Sequence, residues 1–244
     1  MENPWKECAE KLEKNYYAKC DEGKIQGIVE RIAKNKDKDD KICLELPPQP
    51  FEGCVKNSKI VILTLNPGFK EGDEAQQSKK EFIEETTKCM LQKPDAKFFS
   101  LMSKFKEDNH YNWWTEHLIV KKDEKIHKEL FKDVDKYREF LINNLSVIEF
   151  FPYHSKKGGG VKRKYAKLDS QDYSFKLVTE AISAKKTIII QRSVEEWLKA
   201  VPELKTYSYY ECKNPSSASI SNNNLKKANG EEASLSDILK PFAY

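Results

Sequence analysis

The most constraining stretch of the chain is residues 60–69, which read IVILTLNPGF. Its first six residues are an unbroken apolar and β-branched run, the pattern of a strand buried on both faces in the middle of a parallel sheet. The run ends at Asn66-Pro67-Gly68, where the proline has no N–H for the sheet and the glycine permits a left-handed turn. We therefore expect a tight loop, flanked by Phe69, at the carboxyl end of a central strand.

This loop has two interpretations. Asn-Pro-Gly taken alone is explained by the geometry of a turn. Ligands of open α/β sheets, however, bind in the crevice outside the carboxyl ends of the strands. The position of the loop therefore makes it a candidate site, and the rest of the chain has to decide between the two interpretations.

Composition narrows the class of protein. The chain has 244 residues, of which 39% are hydrophobic, which is enough for a sizeable core. A net charge of +4, from 43 basic and 39 acidic residues, is too small to indicate a nucleic-acid partner by itself. No apolar run approaches the ~18 residues of a membrane span and no signal peptide is recognisable, so we predict a soluble cytoplasmic protein that does not bind membranes.

The cysteines and histidines do not predict a metal site. Six cysteines are scattered along the chain without a CxxC pair and without a histidine at ligand spacing. We therefore predict no metal and no cofactor, and free thiols in a reducing compartment.

Three more strands are predicted, at residues 146–151 (SVIEFF), 187–191 (TIIIQ) and 206–210 (TYSYY), with helical patterns between them. This alternation predicts an α/β fold, a three-layer α/β/α sandwich around a mostly parallel four-stranded sheet. Residues 1–50 are predicted to be an N-terminal helical segment packed on the main domain. Residues 51–244 are predicted to be that single domain, and the protein a monomer.

Each predicted strand is followed by a polar or proline-containing loop. Right-handed crossovers place all strand-end loops of such a sheet on one edge. Inside the second strand, Glu149 is anomalous, because an unpaired buried carboxylate is costly. It is expected either to face solvent or to have a functional role in the buried strand. The four loops are Asn66-Pro67-Gly68-Phe69, Phe151-Pro152-Tyr153-His154, Gln191-Arg192-Ser193 and Asn214-Pro215-Ser216.

Two other features are open to more than one interpretation. Residues 156–164, KKGGGVKRK, are either a solvated surface turn or a phosphate-contacting loop. The aromatic residues between 98 and 114 are either a stacking surface for bases or core under a helical layer, and their spacing favours core.

Taken in order, the four loops resemble those of the uracil-DNA glycosylase superfamily, particularly its single-strand-selective and mismatch-specific branches. Those branches carry an Asn-Pro-Gly loop after the first strand and a His-Pro-Ser or Asn-Pro-Ser loop after the last. The resemblance covers roughly residues 60–225. It implies a uracil-DNA glycosylase-like fold and hydrolysis of the N-glycosidic bond of uracil or another modified base flipped out of DNA, without a cofactor.

The resemblance also implies roles for individual residues. Asn66 would position or polarise the attacking water, and Phe69 would stack on the base. The catalytic candidates are Asn66, Asn214 and His154. The base-binding candidates are Pro67, Gly68, Phe69, Glu149, Phe151 and Tyr153. The DNA-binding candidates are Lys156, Lys162, Arg163, Lys164, Arg192, Ser216 and Ser217.

The chain departs from the family pattern at two positions. Glu149 stands where the family usually presents an asparagine that reads uracil, and an ionised carboxylate only accepts hydrogen bonds. Asn214 stands where many members carry a histidine, so His154 or Arg192 would have to supply that donor. These departures keep a second hypothesis open, namely a catalytically inactive nucleic-acid or nucleotide-binding module with the same fold. A third is an unrelated α/β domain.

Overall fold

The structure, a computed structural model, describes residues 1–12, 16–33, 42–118, 124–155 and 167–243. Its strands are β1 (Ile42–Cys43), β2 (Phe51–Glu52), β3 (Ile60–Thr64), β4 (Leu145–Glu149), β5 (His154–Ser155), β6 (Thr187–Ile190), β7 (Tyr210–Cys212), β8 (Leu225–Lys227) and β9 (Glu232–Ala233). Its helices are α1 (Lys6–Glu10), α2 (Glu22–Ala33), α3 (Asp73–Gln77), α4 (Lys80–Met90), α5 (Asn109–His117), α6 (Glu124–Leu130), α7 (Val134–Asn144), α8 (Gln171–Ser183), α9 (Val194–Ala200) and α10 (Leu235–Leu239).

The main sheet has the strand order β2-β4-β3-β6-β7-β8-β9. Its four central strands, β4, β3, β6 and β7, are mutually parallel, while β2, β8 and β9 add antiparallel edges. The predicted mixed α/β fold with a mostly parallel central sheet is therefore confirmed, and the sheet is wider than the four strands predicted. Separately, β1 pairs antiparallel with β5.

The last parallel strand begins later than predicted. The sequence favoured residues 206–210, but Pro202–Thr206 form a 3₁₀ turn and β7 spans Tyr210–Cys212. A proline at the start of that turn supplies a preset φ, which suits a helical turn. The pairing of Ile189 with Tyr210 then sets the register of β7 against β6.

Apolar cores cover both faces of the sheet, which explains the unbroken apolar run in β3. Alternate strand residues enter opposite cores. Val61 and Leu63 join the core that includes residues of α1, α2, α8 and α9. Ile60 and Ile62 join the core that includes residues of α5, α6, α7 and α10. Helices on both faces are compatible with a three-layer arrangement.

The N-terminal helices share the first of these cores. Trp5 and Ile25 are fully buried in it. Their attachment is also polar, since buried Asp21 accepts hydrogen bonds from the Tyr153 hydroxyl (2.8 Å) and from the Ser170 backbone (2.9 Å) and hydroxyl (2.6 Å). The segment before β2 is thus packed on the main body of the protein.

All six cysteines are free thiols, four of them buried. Within the described ranges, no helix is both long enough and apolar enough to cross a membrane.

Candidate functional site

A cavity of about 290 Å³ opens where β3 and β4 end. It lies at the carboxyl edge of the parallel strands, the position at which α/β sheets bind ligands. The residues around it come mainly from the loop after β3, from β2 and β4, from α5, and from the loop after β6. They are Gln49, Phe51, Glu52, Thr64, Asn66, Pro67, Gly68, Phe69, Lys70, Asp73, Asn109, His110, Trp113, Trp114, Val147, Glu149, Ser155 and Arg192.

The loop after β3 is held in place by its neighbour across the cavity. The Asn66 Nδ2 donates to the Pro67 carbonyl (2.8 Å), to the Ser155 hydroxyl (3.0 Å) and to the Ser155 carbonyl (3.3 Å). Ser155 is itself fixed by the pairing of β5 with β1. With its amide nitrogen fixed in this way, Asn66 receives no hydrogen bond at Oδ1 from a described residue, and that oxygen is available to a water molecule or a ligand.

His154 contacts the backbone of this loop and does not line the cavity. Its Nδ1 lies 2.7 Å from the Gly68 carbonyl oxygen and its Nε2 lies 3.0 Å from the Pro47 carbonyl oxygen. Burial lowers the pKa of His154 to about 4, so the ring is neutral at physiological pH. A neutral imidazole donates through only one nitrogen. The predicted donation to a bound base therefore has no geometric support, and His154 acts on the loop instead.

Two glutamates lie side by side in the cavity. Glu52 on β2 is paired with Val147 on β4, and Glu149 follows Val147 by two residues. Alternation puts Val147 and Glu149 on one face of the sheet, so Glu52 is the diagonal neighbour of Glu149, at a typical spacing of about 7–8 Å. Glu149 is 8% exposed and its Oε2 has no hydrogen-bond partner. Of the two locations that the sequence left open for Glu149, the structure shows the buried one.

Both carboxyls hold their protons more tightly than ordinary glutamates do. Burial raises the pKa of Glu149 well above its usual value, which nearby Arg192 opposes and Glu52 reinforces. Burial also raises the pKa of Glu52 to about 7, although its Oε1 accepts a 2.6 Å hydrogen bond from the Ser100 backbone. Because the two desolvated carboxyls are close together, the ionisation of one disfavours the ionisation of the other.

Aromatic rings form part of the cavity wall. Phe69 and Trp113 are each partly exposed there. The ring of Trp113 stacks on His117 (3.8 Å between centroids, 13° between planes) and meets Trp114 edge-on at 4.6 Å. These contacts fix the orientation of Trp113, which gives a planar ligand a rigid surface to stack on.

The sequence did not predict the cavity residues that α5 contributes, or Lys70 and Asp73 in the segment after the loop that follows β3. His110 and Trp113 fall on one face of α5, because residues three apart on a helix are neighbours. The buried Asp73 carboxylate accepts hydrogen bonds from the Lys70 backbone (2.7 Å) and the Asn109 side chain (2.8 Å). Helical spacing was the signal that could have found these residues, but aromatic residues at this spacing are equally expected in a core.

Arg192 is the member of the third loop that reaches the cavity. It is followed by Ser193, whose φ of 62° is unusual for a residue other than glycine and whose hydroxyl is buried without a partner. Strained backbone of this kind is concentrated at functional sites.

The other predicted residues that the structure describes do not line the cavity. Phe151 and Tyr153 are buried in the first core. Asn214, Ser216 and Ser217 are exposed, and Asn214 Oδ1 accepts from the two serine backbones in a local turn. The predicted phosphate-contacting residues Lys156, Lys162, Arg163 and Lys164 lie outside the described residues. The cavity brings together Asn66, Pro67, Gly68, Phe69, Glu149 and Arg192.

Comparison of the chain with protein-family models, with curated proteins and with solved structures finds no match.

Proposed function

We propose that this protein is a DNA glycosylase-like hydrolase with a uracil-DNA glycosylase-like three-layer fold. It cleaves the N-glycosidic bond of uracil or another modified base, acting on DNA as a cytoplasmic monomer. The observation that carries the proposal is the convergence of Asn66, Phe69 and Glu149 on one cavity at the strand ends. Its volume of about 290 Å³ is at the lower end of the range for small-molecule sites, which suits a single flipped base.

The geometry supports separate roles for the residues that bind the base and for the residue that positions the water molecule. The flipped base stacks on Phe69 and Trp113, with its polar edge toward Glu149. When the C1′–N bond breaks, its electron pair leaves with the base and positive charge develops on the sugar. Asn66 Oδ1 orients a water molecule whose oxygen adds to C1′ and whose proton is lost to solvent. An amide is adequate for this step because the sugar already carries most of the charge and the water needs orientation more than deprotonation.

An Asn66→Ala variant tests the proposal. Oligonucleotides that each carry one modified base, including uracil, hypoxanthine and oxidised or alkylated bases, are incubated with the protein and treated with alkali to reveal abasic sites. We expect the wild type to cut at least one of them. We expect Asn66→Ala to be slower by about 100-fold, the typical effect of removing one positioned polar group. Asn143→Ala is the matched control, because Asn143 is exposed on α7, away from the cavity.

Two results would contradict the proposal: no cleavage across the whole panel, or equal rates for wild type and Asn66→Ala. In the first case the alternative is a binding module of the same fold, which the unpartnered Glu149 favours. Such a module binds nucleic acid with a salt-dependent affinity and no turnover. Neutralising Lys162, Arg163 and Lys164 together is expected to weaken that binding.

A further inference from the structure

The Glu149 carboxyl is a buried polar group in the cavity whose hydrogen bonding is incomplete. It is more than nine-tenths buried, it faces the cavity, and its Oε2 has no hydrogen-bond partner. A buried polar atom without a partner is costly and is rare in native proteins. A ligand that donates a hydrogen bond to Oε2 removes that cost when it binds.

The surroundings of Glu149 favour a ligand with positive charge. Glu52 adds a second carboxyl from the neighbouring strand, and neither carboxyl is within 4.0 Å of a basic group among the described residues. Arg192 lines the same cavity and attracts Glu149 only from a longer distance. The other ionisable groups in the wall are exposed Lys70, His110, whose pKa is lowered by burial, and Asp73, whose two oxygens are already occupied.

The aromatic walls favour the same ligand. Phe69 and Trp113 present partly exposed rings to the cavity, and the face of an aromatic ring attracts cations, most strongly for tryptophan. A planar cation that stacks on one of these rings and donates N–H groups to Glu149 satisfies both the π face and the unpaired carboxyl. A neutral base such as uracil satisfies fewer of these groups.

We propose that the cavity selects a base that carries a positive charge, namely a purine or pyrimidine alkylated on a ring nitrogen. This inference rests on the proposed function and names its substrate class. The chemistry is balanced without further components. The C1′–N bond breaks, its electron pair neutralises the charge on the ring, water adds to C1′, and one proton is released. Because the base leaves as a neutral molecule, the reaction needs no histidine to stabilise an anionic leaving group, and Asn214, which stands where many members of the resembled family carry one, does not line the cavity.

The sign of the pH dependence distinguishes a cationic ligand from a neutral one. A cation binds to ionised carboxylates, so its affinity rises with pH as Glu52 and Glu149 lose their protons, and its binding releases protons. A lactam edge such as that of uracil needs a carboxyl that still carries its proton, because it must receive one hydrogen bond and donate another. Its affinity therefore falls over the same pH range.

The test uses pairs of single-stranded oligonucleotides that differ by one methyl group: 3-methylcytosine against cytosine, and 7-methylguanine against guanine, with uracil as the neutral lactam. Fluorescence anisotropy gives the affinity, and alkali treatment of the same samples gives cleavage. At about pH 7.5 we expect the methylated members to bind about tenfold more tightly, the effect of one charge-assisted contact. At about pH 5.5, below the pKa of about 7 of Glu52, we expect this preference to shrink to about twofold.

Variants assign the preference to the carboxyls. Glu149→Gln and Glu52→Gln keep the shape of the side chain and remove its charge, and each is expected to abolish most of the methyl preference. Trp113→Leu is expected to reduce the preference severalfold. Glu139→Gln is the matched control, because Glu139 is 62% exposed on α7 in a surface ion pair, and it is expected to behave as wild type.

The outcomes separate this inference from the proposed function. Cleavage of uracil without a preference for methylated bases supports a glycosylase and overturns the inference of a cationic substrate. A methyl preference that depends on Glu149 without any cleavage supports the cationic site and overturns the catalytic proposal. A preference that survives in Glu149→Gln, or that grows as pH falls, also overturns the cationic site.

Discussion

Replacing Asp21 with alanine is expected to lower the free energy of unfolding by about 4 kcal/mol. The Asp21 carboxylate is fully buried and accepts hydrogen bonds from the Tyr153 hydroxyl and from both the backbone and the hydroxyl of Ser170. Its removal leaves three buried donors without an acceptor, and breaking a buried polar network in this way typically costs about 3–5 kcal/mol. Urea denaturation followed by tryptophan fluorescence measures the change.

Two further variants make the test specific. Asp169→Ala removes a neighbouring carboxylate that is 54% exposed and forms a surface ion pair with Lys24, so its effect is expected to stay within about 0.5 kcal/mol. Asp21→Asn keeps one acceptor oxygen and is expected to fall between alanine and wild type. Equal effects of Asp21→Ala and Asp169→Ala would show that Asp21 does not hold the N-terminal helices to the main body.

The second large effect is the dependence of stability on pH through the cavity carboxyls. The folded state binds protons at Glu52 and Glu149 more tightly than the unfolded chain does. Their contribution to stability is therefore greatest below the ordinary pKa of 4.5 and is lost as pH rises, for Glu52 up to a pKa of about 7. With partial solvent screening of Glu52, we expect that carboxyl to cost about 3 kcal/mol by about pH 8, since one pKa unit corresponds to about 1.4 kcal/mol, and Glu149 to add a cost of the same sign.

The wild-type pH curve alone does not isolate this effect. Burial lowers the pKa of His154 to about 4 and also lowers the pKa of His110. A depressed histidine pKa gives stability that is present above 6.5 and lost as pH falls, which is the opposite slope. The difference between wild type and the Glu52→Gln/Glu149→Gln double variant removes the histidine contribution. We expect the double variant to be the more stable protein at about pH 8 and to lose that advantage at about pH 4.5. A difference that is constant with pH would contradict the raised pKa values.

The sequence predicted those parts of the fold that are determined by the residues of a single strand or loop. The apolar and β-branched run of β3 is the pattern of a strand buried on both faces, and the loop after β3 followed from its proline and glycine. Glu149 was recognisable because a carboxylate interrupts an apolar strand, which has an energetic cost wherever the strand is buried.

The remaining parts of the site depend on distant pairing, which local patterns do not encode. Glu52 reaches the cavity because a two-residue strand pairs with β4, far along the chain. The position of α5 brings His110 and Trp113 to the same cavity. His154 and Tyr153 follow a strand as expected, but their partners are Gly68, Pro47 and Asp21, and those contacts turn both side chains away from the cavity.

The first apolar core has a consequence for how the chain folds during synthesis. Trp5, near the start of the chain, shares that core with Trp197 and Leu204. About two hundred residues must leave the ribosome before Trp5 can reach these partners, and contacts between such distant residues form slowly. Until then, the apolar face of the first helix is covered only in part, by earlier partners such as α4 and Tyr153. A chaperone that binds short apolar helices would therefore have an opportunity to bind α1 while the later residues of its core are still being synthesised.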